Sequence, residues 1–260
     1  MKHPLIVKVL VGLMIAATLY RIWVGWDFNN PAETGHYSLI DDEIPDDVRA
    51  RLHPWIAGFI GLSPEQAKAR LEERWETIDR PSLRALSNVL LESKITYLVD
   101  SPEGGMICAT RPDTYKSGND DFWYLPAPPE RSVIQEQLEP IGLADNKALG
   151  DFLYHFGDLA ESHETSGYFM HSESPFPTFT DSWDGAIKDF DEWEGSLMLF
   201  HALNGCFILV RQDGSVGWWM MQEHRVKKEA NDFDEFILEY SEYRKISWPC
   251  DPYGPPDDER

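Results

Sequence analysis

The chain has few basic side chains. Its 260 residues include 23 Lys and Arg against 45 Asp and Glu, for a formal charge of −22. Phosphate contacts need Lys and Arg, so this balance argues against nucleic acid as a ligand. Cysteine is also scarce, and Cys108, Cys206 and Cys250 are widely spaced. That spacing excludes a disulfide-framework fold and any C-x-x-C metal or redox motif.

The short motifs of common chemistries are missing as well. There is no H-E-x-x-H, G-x-S-x-G, P-loop or G-x-G-x-x-G. His155, His163 and His171 recur with seven residues between each pair, but Gly157 and Gly167 interrupt any helix that would align them. Pairs of carboxylates are expected by chance among so many acids, so they do not identify a glycosidase. We therefore predict no cofactor, no metal site and no catalytic residue.

One long apolar run is present, at residues 4–26 (PLIVKVLVGLMIAATLYRIWVGW). As a helix, its 23 residues would extend about 34 Å, enough to cross a bilayer. We predict a transmembrane anchor, with a cleaved signal peptide or a buried soluble helix as alternatives. Lys2 and Lys8 lie at the N-terminal end of the run, and basic residues flanking a span favour the cytoplasmic side. We therefore predict a single-pass protein whose main domain lies outside the cytoplasm. If the segment is instead a cleaved signal peptide, the protein is expected to be secreted or periplasmic. If it is a buried soluble helix, the protein is expected to be cytoplasmic.

The chain has enough apolar residues for a folded core, since 42% of all 260 residues are hydrophobic and ten are Trp. The patterns predict an α+β fold, a mostly antiparallel sheet flanked by helices. We divide the chain into five parts at changes in composition, with the main boundary at the Pro-rich break before residue 130. They are the anchor or signal peptide at 1–26, an acidic linker at 27–62 that packs late or not at all, a helical pair plus hairpin at 63–129, a main domain at 130–248, and a disordered tail at 249–260.

Several elements have specific local signals. Ser63 begins a helix with a capping box. A hairpin joins Ile95–Val99 to Gly105–Thr110, and a further strand is predicted at Asp121–Leu125. A helix is predicted at Asn146–Phe156, where a buried stripe is expected to pack against the sheet. The stripe consists of Ala148, Leu149, Phe152, Leu153 and Phe156.

The strongest strand signals come later in the chain. Strands are predicted at Leu197–His201 and Cys206–Val210, and Asp213-Gly214 predicts a two-residue type I′ turn into Val216–Met221. Trp218 and Trp219 should then lie on opposite faces of the sheet. Asn231-Asp232 caps a final helix whose Phe233, Phe236, Ile237 and Tyr240 lie on one face.

The negative charge is concentrated in the middle of the chain. Residues 100–200 contain twenty acids and five bases, a net charge of −15. Within this stretch, Glu161–Glu194 has one base, Lys188. An acidic face of this kind either keeps the protein soluble or steers a basic partner toward it. The candidate binding residues are Glu161, Glu164, Glu173, Asp181, Asp184, Asp189, Asp191, Glu192 and Glu194.

Residues 130–244 resemble the SUKH superfamily of bacterial immunity proteins and their relatives. The resemblance rests on the order of five patterns: FLYHFGDL from Phe152, LFHALNG from Leu199, VRQDGSVGW from Val210, QEHR from Gln222, and the helix from Ala230 to Phe236. It implies an α+β domain that is not an enzyme and that binds proteins, including secreted toxins. Nuclease toxins are usually basic because their substrate is a polyanion, so an acidic face suits them.

The sequence thus predicts a non-enzymatic protein-binding domain, and the resemblance implies an immunity protein for a basic toxin. Two alternatives stay open. One is a carbohydrate-active or other hydrolase that uses the acid-rich segment with Trp218 or Trp219. The other is a scaffold or regulator of envelope assembly. The sequence leaves the oligomeric state open.

Overall fold

The computed structural model describes residues 35–101, 104–112, 120–157, 159–162, 167–169, 176, 178–179, 190–202, 206–220, 223 and 225–245. It has an α+β fold, as predicted. The eight α-helices in this part of the chain are α1 (Asp46–Arg51), α2 (Pro54–Ala57), α3 (Pro64–Trp75), α4 (Pro81–Leu90), α5 (Arg131–Leu138), α6 (Lys147–Phe156), α7 (Phe190–Trp193) and α8 (Phe233–Lys245).

A ten-stranded sheet forms the centre of the fold. Its strands follow one another in chain order, and every neighbouring pair is antiparallel. They are β1 (His36–Ser38), β2 (Lys94–Val99), β3 (Met106–Pro112), β4 (Asp120–Pro126), β5 (Ala160–Ser162), β6 (Gly167–Phe169), β7 (Leu197–Ala202), β8 (Cys206–Val210), β9 (Val216–Met220) and β10 (Arg225–Ala230).

The largest core lies between one face of this sheet and the longer helices. It contains Leu71 of α3, Leu86 of α4, Phe152 of α6 and Phe236 of α8, together with Ile107 and Ile208 of the sheet. This single cluster includes residues from both sides of the Pro-rich break before residue 130. Strand β4 also pairs with β5 beyond that break. The division into a 63–129 unit and a 130–248 unit remains a prediction.

The helix signals in the sequence are confirmed. Ser63 Oγ accepts from the backbone N–H of Gln66, and Gln66 Oε1 accepts from the backbone N–H of Ser63. These two hydrogen bonds complete the capping box. Asn146 Oδ1 accepts the N–H of Leu149 at the start of α6, and Asp232 Oδ1 accepts the N–H of Glu235 at the start of α8. Each bond satisfies one of the backbone donors that a helix leaves unpaired at its N-terminus.

The prediction that residues 27–62 form an unpacked linker is wrong for the residues that the structure describes. From residue 35 onward the segment contains β1, α1 and α2, and the side chains of Leu39, Ile44 and Phe59 are buried in the main core. The charged residues occupy exposed positions between these anchors. The segment packs because its widely spaced apolar side chains are buried. The hydrophobic effect depends on the apolar area removed from water, so no periodic pattern is needed.

The turn between β8 and β9 differs from the predicted two-residue type I′ turn. Gly214 N–H donates to Arg211 O at 2.9 Å, and Arg211 N–H donates to Ser215 O at 3.0 Å, which leaves a three-residue loop. Asp213 Oδ1 accepts from both the N–H and the Oγ of Ser215. These bonds, with the left-handed φ of +89° at Gly214, favour the longer loop.

A buried charged group links strand β4 to the last turn of α8. The Asp121 carboxylate accepts from Arg111 Nε at 3.0 Å and from Arg244 Nη2 at 2.6 Å, and all three side chains are buried. Burial alone would raise the pKa of Asp121. The guanidiniums of Arg244 and Arg111 outweigh burial and hold this pKa below its ordinary value.

The predicted membrane segment, residues 4–26, lies outside the described residues, as does the predicted tail at 249–260. Among the helices that the structure does describe, none combines the length and the apolar character needed to cross a bilayer.

Candidate functional site

The structure describes four of the nine predicted binding acids. Glu161 lies in β5, Asp191 and Glu192 lie in α7, and Glu194 directly follows α7. Glu192 and Glu194 are exposed. The other five fall outside the described residues: Glu164, Glu173, Asp181, Asp184 and Asp189. The structure therefore shows how the C-terminal end of the acidic segment is held.

Helix α7 is attached to the sheet face opposite the main core. Its Trp193 is buried in a second apolar cluster with Phe179, Phe207 and Trp219. Strand β9 has a glycine beneath the indole. A Cβ added at Gly217 would lie only 2.6 Å from Trp193 Cη2. This close approach requires a residue without a side chain, so the glycine determines how deeply Trp193 packs.

Arg211, in the loop after β8, covers the other side of Trp193. Its guanidinium lies 3.8 Å from the centre of the Trp193 ring, a cation–π contact. Arg211 Nε also donates to the backbone oxygen of Glu192 at 3.1 Å, and Arg211 Nη2 lies 3.3 Å from Glu192 Oε1. One arginine thus contacts both the helix backbone and one candidate acid, whose side chain stays 67% exposed.

Backbone hydrogen bonds close the base of this segment. Phe179 N–H donates to Ser196 O, and Gly195 N–H donates to Phe179 O, both at 2.8 Å. Gly195 adopts a left-handed φ of +77°, which lets the chain turn sharply after Glu194. The two ends of the 179–196 stretch are therefore fixed on the sheet next to each other.

Trp218 and Trp219 lie on opposite faces of the sheet, as predicted. Trp218 packs against Phe236 of α8 in the main core, and Trp219 packs against Phe179 in the second cluster, with ring centres 4.8 Å apart. Both rings are fully buried. Neither ring offers a face to solvent, so their burial gives no support to sugar binding, and the hydrolase alternative stays a prediction.

His155 is the one member of the predicted histidine series that the structure describes, and it is buried. Burial, together with the nearby Arg74 and Arg131, lowers its pKa to about 4. The imidazole is therefore neutral at physiological pH. Within the described ranges, no group of three or more His, Cys, Asp or Glu side chains is arranged to hold a metal ion.

A second surface feature, which the sequence patterns did not predict, is a groove between α5 and α6. It has a volume of about 300 Å³, and its lining includes Arg131, Ile134, Gln135, Asn146, Lys147 and Gly150. Arg131 is held in place at the rim of the groove. The Arg131 guanidinium stacks 4.0 Å from the centre of the Tyr154 ring, and its Nη1 donates to Asp151 Oδ1 at 2.9 Å.

Gly150 lies in helix α6 on the wall of this groove. Its φ is not left-handed, and a Cβ added there would meet no atom within 4 Å. A helical glycine is about 0.5–1 kcal/mol less favourable than alanine, so packing within the described residues does not explain it. A glycine inside a strongly periodic helix is the sequence signal that could have identified this position.

The comparisons give no relative to guide the assignment. No protein-family model matches the chain, and neither a curated protein nor a solved structure matches it. The argument for function therefore depends on the residues themselves.

Proposed function

We propose that the protein is a non-enzymatic protein-binding domain that uses the segment Glu161–Glu194 to bind a basic protein. The observation that carries the proposal is the attachment of α7 to the sheet through the buried Trp193 and the stacked Arg211, which leaves Glu192 and Glu194 exposed. A preformed acidic surface loses little conformational entropy on binding, and it accelerates encounter with a cationic partner.

The class of partner follows from charge and from the resemblance. A net charge of −15 over residues 100–200 favours a partner with a basic surface. The resemblance of residues 130–244 to the SUKH superfamily supports an immunity protein that neutralises a basic secreted toxin. We propose further that residues 4–26 anchor the chain in a membrane and that the acidic domain lies outside the cytoplasm.

Site-specific crosslinking tests the location of the binding face. A photoreactive residue replaces Glu194 in one variant and Glu73, an exposed acid of α3, in a matched control. We expect the Glu194 position to capture a basic protein in cells and the Glu73 position not to capture it. Equal capture at both positions, or an acidic protein at Glu194, would contradict the proposal.

The captured protein then allows a kinetic test. Reversing Asp189, Asp191, Glu192 and Glu194 to Lys should slow association at low salt, and the difference should shrink as salt screens the charges. The control reverses four exposed acids elsewhere, Glu43, Glu73, Glu76 and Glu136. It changes the net charge equally, so an equal slowing in both variants would mean that total charge, not this segment, drives association.

A further inference from the structure

The groove between α5 and α6 differs in charge from the rest of this acidic protein. Arg131 and Lys147 both line it. Its one carboxylate, Asp151, already contacts Arg131 at 2.9 Å and Arg80 at 3.7 Å. Lys147 has no ion-pair partner among the described residues. The three charged side chains that line the groove, Arg131, Lys147 and Asp151, therefore sum to +1, opposite in sign to the chain as a whole.

The uncharged lining offers other contacts. The Oδ1 of Asn146 is occupied by the α6 N-cap bond, which leaves its Nδ2 as a donor. Gln135 is exposed at the groove and carries both an amide donor and an acceptor. Side-chain amides match the N–H and C=O groups of a peptide backbone. The buried Ile134 and the half-buried Ala144 add an apolar floor.

Gly150 shows how close a ligand can come. Glycine is useful in a regular element where another backbone or a ligand approaches closely. No described residue makes that approach, because the space above Gly150 is open for 4 Å. An incoming chain would fill this space.

We propose that the α5–α6 groove binds an extended, acidic peptide segment of a partner protein. The backbone of the segment passes over Gly150, and its carboxylates contact Lys147 and Arg131. A volume of about 300 Å³ with an apolar floor exceeds what a free phosphate or acetate ion needs, which favours a peptide. This surface is separate from the acidic segment Glu161–Glu194, and the proposal does not rest on the function proposed for that segment.

Fluorescence anisotropy tests the ligand class. The full-length chain in detergent micelles is titrated into a fluorescein-labelled peptide GAEAEAG, and into its uncharged counterpart GAQAQAG. We expect saturable binding of the acidic peptide and at least about tenfold weaker binding of the uncharged one. No saturable binding of the acidic peptide, or equal binding of both, overturns the proposal. Complete displacement by inorganic phosphate at the peptide's own concentration also overturns it, because it indicates a simple anion site.

Substitutions at the groove test its location. Gly150→Met places an unbranched side chain in the open space and should weaken binding by about tenfold or more. Gly150→Ala adds only a Cβ to the same space and should also weaken binding, but by less than Gly150→Met. Lys147→Gln should also weaken binding, whereas Lys68→Gln, at a partly exposed position of α3, should not. Wild-type affinity in a folded Gly150→Met variant would exclude the groove.

A spectroscopic measurement gives the position independently of affinity. In protein labelled with ¹⁵N-glycine, the Gly150 signal is the one that disappears in Gly150→Ala. We expect this signal to move as the acidic peptide is added and to stay in place with the uncharged peptide. If peptide binding leaves the Gly150 signal unmoved, the binding site lies elsewhere and the proposal fails.

Discussion

Arg211 stacks 3.8 Å from the centre of the Trp193 ring, and the benzene edge of the same indole lies against Gly217. Both Arg211 and Gly217 belong to the β8–β9 hairpin, one in its loop and one in its second strand. The hairpin therefore holds α7 from two sides. The position of Glu192 and Glu194 depends on a part of the chain that carries little of the negative charge.

Gly217→Ala should displace Trp193. The added Cβ would lie 2.6 Å from Trp193 Cη2, so the indole must shift out of the second cluster. Overpacking of this kind destabilises by about 1–3 kcal/mol. Urea unfolding measures the loss, and limited proteolysis at α7 should become faster. Gly150→Ala has no such contact and should stabilise the protein slightly, so a similar loss in both variants would contradict this explanation.

His155 should make the protein less stable in mild acid. Its pKa is about 4 in the folded chain and 6.5 when unperturbed, so between these values the unfolded chain binds more protons. Stability should therefore fall as the pH drops from 6.5 to 4, by up to roughly 3 kcal/mol. The measurement is urea unfolding at pH 7.5 and 4.5 for the wild type and His155→Leu. The variant should lose less stability over this range, and parallel curves would refute the role of His155.

Asp121→Asn should be strongly destabilising. The carboxylate contacts two buried guanidiniums, and its removal leaves both without their shared counter-charge. Breaking a buried ion pair on one side costs about 3–5 kcal/mol. The change should appear in the free energy of unfolding at neutral pH. Asp213→Asn, at an exposed carboxylate in the β8–β9 loop, is the control, and an equal loss there would argue against burial as the cause.

Phe152→Ala tests the packing of α6. The side chain is fully buried, with its ring 5.5 Å from Phe156 and 5.5 Å from Phe233 of α8. Truncating such a ring costs about 3–5 kcal/mol through lost contacts and the cavity left behind. Val133→Ala, at an exposed position of α5, should cost far less. A loss below about 1 kcal/mol for Phe152→Ala in denaturant titration would mean that the site collapses around the gap.

Local elements were the part of the fold that could be predicted. The capping box at Ser63, the β2–β3 hairpin and the helix that follows Asn146 depend on residues within a few positions of one another. The burial of Phe152 and Phe156 was also predicted, because helical periodicity marks the apolar face. That face was expected to pack against the sheet, and its aromatic partners on other helices were not predicted. The ring contacts of α6 run to Trp75 of α3 and Phe233 of α8.

The two errors have different physical causes. The segment 35–62 looked like a linker because its acids are dense and its apolar residues are irregularly spaced. Its packing depends on a core assembled from distant parts of the chain. The turn at Asp213-Gly214 was misassigned because two-residue and three-residue loops share the same residue types. The choice between them was made by the bonds of Ser215 to Asp213.

By itself, the sequence determined the charge balance, the α+β pattern of elements and the opposite directions of Trp218 and Trp219. Composition can be counted directly, and the alternation of side chains along a strand is a local property. Only the tertiary structure decided which distant residues meet. It joined Asp121 to Arg244 across 123 positions, placed Gly217 under Trp193 and left open space above Gly150. Such contacts arise from how the helices and the sheet pack, and no spacing within a single element encodes them.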